Sequence, residues 1–119
     1  MPENILVADD DADMRKFYTR IFSGTGYSFS VAGSVAEASA LLETNTYDLL
    51  VTDLDLQDGF GTELIELLGH KRPQAKSLLV TGSAKGDESL RSCGAFECFE
   101  KPFKIEAFLS AVRRALAVS

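Results

Sequence analysis

Residues 5–10 read ILVADD, four apolar side chains followed directly by two carboxylates. A second apolar run, LLVT at 49–52, ends at Asp53, and a third, around 96–99, comes just before Lys101. Short apolar runs bounded by polar residues are typical of strands buried on both faces of a parallel sheet. The carboxyl ends of parallel strands share one edge, and ligands bind there in open α/β sheets. We therefore expect the N-terminal acidic pair, Asp53 and Lys101 to gather in one site.

The apolar runs alternate with segments in which apolar residues recur at helical spacing. The predicted strands cover 5–8, 28–33, 47–53, 77–81 and 96–100, and the predicted helices cover 14–22, 35–45, 64–68, 85–92 and 105–116. Five strand–helix units predict an α/β fold with a flavodoxin-like, doubly wound, five-stranded parallel sheet in the order 2-1-3-4-5 and helices on both faces. We expect residues 1–119 to form a single domain.

Composition excludes several classes of protein. The 119 residues carry a net charge of −6 and a pI near 4.7, so we expect no direct nucleic-acid contact, which needs clustered Lys and Arg. No apolar stretch approaches the roughly 18 residues that span a bilayer, and the start MPEN is unlike a signal peptide. We therefore expect a cytoplasmic protein without membrane contact.

Cys93 and Cys98 do not support a disulfide framework or a four-ligand zinc site, and we expect buried or half-buried thiols.

Three neighbouring carboxylates constrain the chemistry of the expected site. Asp9, Asp10 and Asp53 would repel one another and would be costly to hold together unless a cation compensated them. Divalent cations such as Mg²⁺ prefer oxygen ligands of this kind. An aspartate beside a bound metal can act as the nucleophile toward a phosphoryl group. The residues therefore predict a metal-dependent site for phosphoryl transfer.

Four motifs, in this order, resemble the receiver domain of bacterial two-component response regulators. They are ILVADD at 5–10, VTDLDL at 51–56, LLVTG at 78–82 and KPF at 101–103. Each motif lies at a predicted strand end, and the match covers essentially the whole chain. The resemblance implies a phosphorylation-activated signalling switch in a two-component phosphorelay. Such a domain is not a turnover enzyme, because it catalyses only its own phosphorylation and its own slow dephosphorylation.

The resemblance implies a magnesium site at the acidic cluster. Mg²⁺ would bind the side chains of Asp10 and Asp53. The backbone carbonyl of Asp55 would supply a further ligand, and Asp9 would act through metal-bound water. Magnesium keeps near-octahedral oxygen coordination and retains several waters, which suits a small set of carboxylates.

The resemblance also implies how the phosphoryl group is received. Asp53 would be the phosphoacceptor, and a histidine kinase or phosphotransfer protein would be the donor. Lys101 would pair with one phosphoryl oxygen, aimed inward by a cis peptide before Pro102, and Thr81 would donate its hydroxyl to another. The signal would then pass to an output domain or target protein that the sequence does not identify.

Among three departures from the family pattern, two bear on how the signal leaves the site. The position three before the lysine usually holds Tyr or Phe, whose rotation reports phosphorylation, and here it is Cys98. Gly86 makes the segment 85–92 a poor helix former. Because two-state responses draw on segments of low stability, we expect the signal to leave through this segment.

Two other classes of protein stay open on the residues alone. Asp53 and Asp55, with Thr81 and Lys101, also resemble the motifs of haloacid-dehalogenase-type phosphatases, in which the second aspartate is the general acid. Against this alternative, the acidic pair precedes the nucleophile and the chain is short for that family. A flavin-binding electron carrier has the same fold, but its phosphate loop would follow the first strand, where the acidic residues would repel a phosphate.

Overall fold

The computed structural model describes residues 3–82 and 95–117, and within them seven strands and four helices follow one another. The strands are β1 (Asn4–Ala8), β2 (Ser28–Ala32), β3 (Leu49–Asp53), β4 (Asp55–Leu56), β5 (Gly59–Phe60), β6 (Lys76–Thr81) and β7 (Glu97–Glu100). The helices are α1 (Ala12–Ser23), α2 (Val35–Thr44), α3 (Gly61–Lys71) and α4 (Ile105–Ala117). The weak helix predicted over 85–92, the proposed output segment, lies outside the described residues.

Five of the strands form one parallel sheet in the order β2-β1-β3-β6-β7. The register pairs Val7 with Val51 and Val51 with Leu78, so the apolar runs lie side by side. The predicted fold class and strand order are therefore confirmed. The carboxyl ends of β1 and β3 are neighbours at the point where the strand order reverses, which is where open α/β sheets bind ligands.

The central strands are buried on both faces of the sheet, which explains their near-continuous apolar sequence. Successive residues of a strand point to opposite faces. Ile5 and Val7 join the core that also contains residues of α1 and α4, whereas Leu6 and Ala8 join the core that contains residues of α2 and α3. All four side chains are at most 1% exposed. The helices therefore cover both faces, as predicted.

The helix ends follow capping side chains, with one correction to the sequence prediction. Asp11 and Ser34 cap α1 and α2, because each side chain accepts a hydrogen bond from a backbone N–H in the first turn. The expectation that the third helix ends before Gly69 is wrong, since α3 continues to Lys71. An exposed glycine costs a helix only about 1 kcal/mol, and Leu68, which is 2% exposed, keeps the turn packed on the core.

Two local features could not be read from the periodicity. Strands β4 and β5 form an antiparallel hairpin directly after Asp53, and each has only two residues. The expectation of a buried or half-buried Cys98 is wrong: the residue is exposed, because β7 lies at the edge of the sheet and its burial alternates. Cys93 lies outside the described residues.

None of the described helices combines the length and apolar character needed to cross a membrane.

Candidate functional site

The predicted acidic cluster is present at the carboxyl ends of β1 and β3. Asp9 and Asp10 directly follow β1, and Asp53 is the last residue of β3. Each of the three offers a carboxylate oxygen, and these oxygens lie within 4.8 Å of one another. Asp9 is fully buried, while the other two are partly exposed. The strand ends thus bring together acids that are more than 40 residues apart in sequence.

Lys101 lies between two of these carboxylates. Its Nζ donates hydrogen bonds to Oδ2 of Asp9 at 3.0 Å and to Oδ2 of Asp53 at 2.9 Å. The peptide bond between Lys101 and Pro102 is cis, as the resemblance implied. The lysine therefore places one positive charge against two negative ones and compensates the cluster only in part.

Asp9 is held from several directions. Its Oδ1 accepts a hydrogen bond from the backbone N–H of Asp11 at 2.9 Å, and its backbone carbonyl accepts one from Nη1 of Arg15 at 2.8 Å. Burial raises the pKa of the Asp9 carboxyl, and the hydrogen bonds from Asp11 and Lys101 oppose that rise without cancelling it. Holding the Asp9 charge in this position is therefore costly to the fold, which is typical of functional sites.

Two neighbouring groups respond to the acidic cluster. Burial by itself would lower the pKa of Lys101, but its hydrogen bonds and ion pairs with Asp53 and Asp9 outweigh burial and raise it. The pKa of Tyr18 is raised, first by burial and then by the negative charges of Asp9 and Asp53. Lys101 is therefore held in its charged form, and Tyr18 in its neutral form.

The chain folds back onto Asp53 through the β4–β5 hairpin. The backbone N–H of Asp55 donates to Oδ1 of Asp53 at 3.3 Å, while the Asp55 side chain is exposed. At the start of α3, a Cβ added to Gly61 would overlap the backbone carbonyl oxygen of Asp53 and lie 2.6 Å from Oγ1 of Thr52. The close approach of α3 to the end of β3 therefore requires glycine at this position.

Thr81 ends β6, the strand beside β3. It is 1% exposed, and its backbone carbonyl accepts a hydrogen bond from the backbone N–H of Lys101 at 2.8 Å. The register pairs Asp53 with Val80, so Thr81 lies one residue further along the same edge. Each predicted site residue thus lies at or next to this edge of the sheet.

The side chains present fit a hard divalent cation. Carboxylate oxygens are the ligands that Mg²⁺ prefers, and three of them converge here with Lys101 as the nearby cation. The set lacks the sulfur and imidazole ligands typical of zinc. The cluster is therefore suited to Mg²⁺ by its donor chemistry.

Two contacts, one at Asp9 and one between the β4–β5 turn and α2, were missed by the sequence analysis. Arg15 binds the Asp9 carbonyl from the first turns of α1, and Asp58, in the β4–β5 turn, accepts hydrogen bonds from the backbone N–H groups of Val35 and Ala36. The spacing of Arg15 from the acidic pair could have suggested the first contact. No local pattern reveals the second, because its partners are more than 20 residues away.

A family model described as "Response regulator receiver domain" matches residues 5–113. The chain belongs to this family. Receiver domains of response regulators are regulatory switches in two-component signalling, and they partner with histidine kinases and output domains. This match confirms the resemblance that the four motifs indicated. It does not favour the phosphatase alternative.

Solved structures of receiver domains have the same fold. A CheY-like receiver domain protein from Methanospirillum hungatei superposes with a TM-score of 0.91 at 29% identity, covering 98% of this chain and 95% of the other. The response regulator TrrA from Thermotoga maritima, solved in complex with Mg²⁺-BeF, has a TM-score of 0.86 at 26% identity, covering 96% and 99%. This receiver domain therefore shares its architecture with a protein that holds a divalent metal.

Longer regulators match this receiver domain over part of their length. PilR of Pseudomonas aeruginosa is 28% identical over 116 residues, which are 96% of this chain and 26% of PilR. NtrC of Azospirillum brasilense, named as a DNA-binding transcriptional regulator, is 29% identical over 114 residues, which are 94% of this chain and 24% of NtrC. The chain thus spans about a quarter of the length of these curated relatives.

Proposed function

We propose that Asp53 accepts a phosphoryl group from a phosphohistidine of a partner kinase or phosphotransfer protein, and that the domain is active as a signalling switch in that phosphorylated form. The observation that carries this proposal is the geometry around Asp53. Its carboxylate lies at a strand end beside two further acids, and one of its oxygens accepts a hydrogen bond from Lys101 at 2.9 Å.

The transfer is a substitution at phosphorus. A carboxylate oxygen of Asp53 attacks, the P–N bond to the donor histidine breaks, and a P–O bond to Asp53 forms. In the slow dephosphorylation that ends the active state, water attacks the phosphorus and the P–O bond to Asp53 breaks. The Asp53 carboxylate and inorganic phosphate are released. Both steps are reactions of the domain on itself, so the chain is not a turnover enzyme.

The residues around Asp53 stabilise the charge of the transferred group. Lys101 is held charged by its two carboxylate partners and would pair with a phosphoryl oxygen once Asp53 is modified. The Thr81 hydroxyl, at the neighbouring strand end, would donate to a second oxygen. Phosphorylation adds roughly −1.5 to −2 charges and three acceptor oxygens, which supplies a reason for both groups to move.

Mg²⁺ would be bound by the Asp10 and Asp53 side chains and the backbone carbonyl of Asp55, with Asp9 acting through metal-bound water. When bound, the metal neutralises charge that builds up on the transferring phosphoryl group. The convergence of three carboxylate oxygens within 4.8 Å supports this assignment. So does the Mg²⁺-BeF bound by the Thermotoga maritima regulator of the same fold.

The biological setting follows from the family. We propose that residues 1–119 act as one receiver domain in the cytoplasm, with a histidine kinase as phosphodonor and an output domain or target protein as recipient of the signal. The net charge of −6 supports the expectation that these residues do not themselves bind nucleic acid. Any DNA contact would then belong to an output partner.

The proposal is tested by incubating the protein with acetyl phosphate and Mg²⁺ and measuring its intact mass. The wild-type chain should gain one phosphoryl group, and Asp53→Asn should gain none. Asp13→Asn is the matched control, because Asp13 is an exposed acid of α1 and lies outside the carboxylate cluster. A phosphoryl group on the Asp53→Asn variant would refute the assignment.

A further inference from the structure

The loop that carries the Asp55 carbonyl is a short β-hairpin with an exposed tip. Strands β4 and β5 have two residues each, and an isolated two-stranded hairpin is marginal in water. Leu56 is buried, and the backbone N–H of Phe60 donates to Glu63 at 2.8 Å, so both strands are anchored. The turn between them, Gln57 and Asp58, is exposed.

The tip of this hairpin is tied to the N-terminus of α2. Oδ1 of Asp58 accepts from the backbone N–H of Val35 at 2.8 Å, and Oδ2 accepts from that of Ala36 at 2.9 Å. The first N–H groups of a helix have no partner within it, and the positive end of the helix dipole favours a carboxylate. These hydrogen bonds lower the pKa of Asp58.

Capping of the helix does not by itself require this contact. Ser34 already caps α2, because its Oγ accepts from the backbone N–H of Glu37 at 3.0 Å. Asp58 binds two different N–H groups, and it reaches them from a loop more than 20 residues further along the chain. The contact therefore fixes the loop relative to α2, in addition to any contribution to the helix.

We infer that Asp58 is a positioning residue for the metal site. It holds the β4–β5 hairpin so that the Asp55 backbone, whose N–H donates to Oδ1 of Asp53 at 3.3 Å, stays at the site and can present its carbonyl to the metal. This inference rests on the proposed function, since it assumes Mg²⁺ at the acidic cluster. Residues outside the ligand set that orient a metal ligand typically change metal affinity by about 10- to 100-fold when replaced. Because Asp58 is exposed, we expect the low end, about tenfold.

The test is calorimetric titration of Mg²⁺ into the unphosphorylated protein and three variants. Asp58→Ala should weaken Mg²⁺ binding about tenfold, and Asp58→Asn, which keeps one acceptor oxygen, should weaken it less. Ser34→Ala is the matched control, because it removes the other cap of α2 without touching the hairpin. Ser34→Ala should lower the melting temperature but leave the Mg²⁺ affinity unchanged.

Further measurements separate positioning from charge and from failure of the proposed function. If Asp58 acts by positioning and not through its charge, the ratio of wild-type to Asp58→Ala Mg²⁺ affinity should persist in 1 M salt, where the Debye length is about 3 Å. Saturating Mg²⁺ should restore phosphorylation of the variant by acetyl phosphate. Equal affinities in wild type and Asp58→Ala, equal losses in Asp58→Ala and Ser34→Ala, or a ratio abolished by salt would each overturn the inference. A wild-type chain that does not bind Mg²⁺ would instead overturn the proposed metal site.

Discussion

Replacing Lys101 by methionine removes the ammonium group that donates to both Asp9 and Asp53 and leaves their carboxylates facing each other. Asp9 is fully buried, and the side chains of Asp53 and Lys101 are 12% and 21% exposed. Hydrogen bonds to charged groups contribute about 1.5 to 3 kcal/mol each, and removing one partner of a buried ion pair costs about 3 to 5 kcal/mol. Because water reaches part of this cluster, we expect a loss of about 2 to 3 kcal/mol in the free energy of unfolding.

The pH dependence of this loss follows from two raised pKa values. The carboxyl of Asp9 has its pKa raised above 3.8 by burial, so its charge opposes folding increasingly as the pH rises through that pKa. The raised pKa of Lys101 means that its stabilisation is present below about 10.5 and is lost as the pH rises through the folded-state value. The difference between parent and Lys101→Met should therefore be large at pH 7.5 and shrink toward pH 4.

The assay is urea unfolding followed by circular dichroism, with EDTA present to remove divalent metal. Lys104→Met is the matched control, because Lys104 is exposed and forms no ion pair with the residues that the structure describes. Its effect should stay within about 0.5 kcal/mol. Added Mg²⁺ should stabilise Lys101→Met more than the parent, since the metal replaces the missing positive charge. Equal unfolding free energies of parent and Lys101→Met in EDTA would show that Lys101 does not stabilise the acidic cluster.

Two further substitutions probe the packing and the charge of the site. Gly61→Ala should lower the free energy of unfolding in urea by at least about 2 kcal/mol, because the added Cβ would meet the Asp53 carbonyl. Gly69→Ala is the control and should raise the free energy of unfolding by about 0.5 to 1 kcal/mol, because a Cβ there meets nothing within 4 Å. Equal effects of the two substitutions would contradict the close approach of α3 to β3. Asp10→Asn should raise the melting temperature without metal, because a like charge is removed, and should lose the Mg²⁺-dependent rise seen in the parent. A variant that responds to Mg²⁺ as the parent does would show that Asp10 is not a ligand.

The site could be predicted from the sequence mainly because its residues lie at strand ends. Apolar runs buried on both faces of the sheet are conspicuous in sequence, so Asp9 and Asp53 could be assigned to neighbouring strand ends from the sequence alone. The strand order then decided which ends would meet. The gathering of the acidic cluster and Lys101 at one edge of the sheet was predictable for this reason.

What could not be predicted depends on contacts between distant segments. The β4–β5 hairpin has too few residues to show a strand period, and Asp58 is held by helix N–H groups more than 20 residues away. The exposure of Cys98 follows from the edge position of β7, which local burial preferences do not contain. Gly69 shows the same limit, because packing of its neighbour Leu68 outweighs its own helix propensity.

The assignment of Asp53 as the phosphoacceptor is tested most directly by locating the phosphoryl group on the chain. After incubation with acetyl phosphate and Mg²⁺, borohydride reduces an aspartyl phosphate to homoserine, which peptide mass spectrometry assigns to one position. We expect homoserine at residue 53 in the wild-type chain, and none when Mg²⁺ is replaced by EDTA. Homoserine at residue 10 or 55, with Asp53 intact, would contradict the assignment.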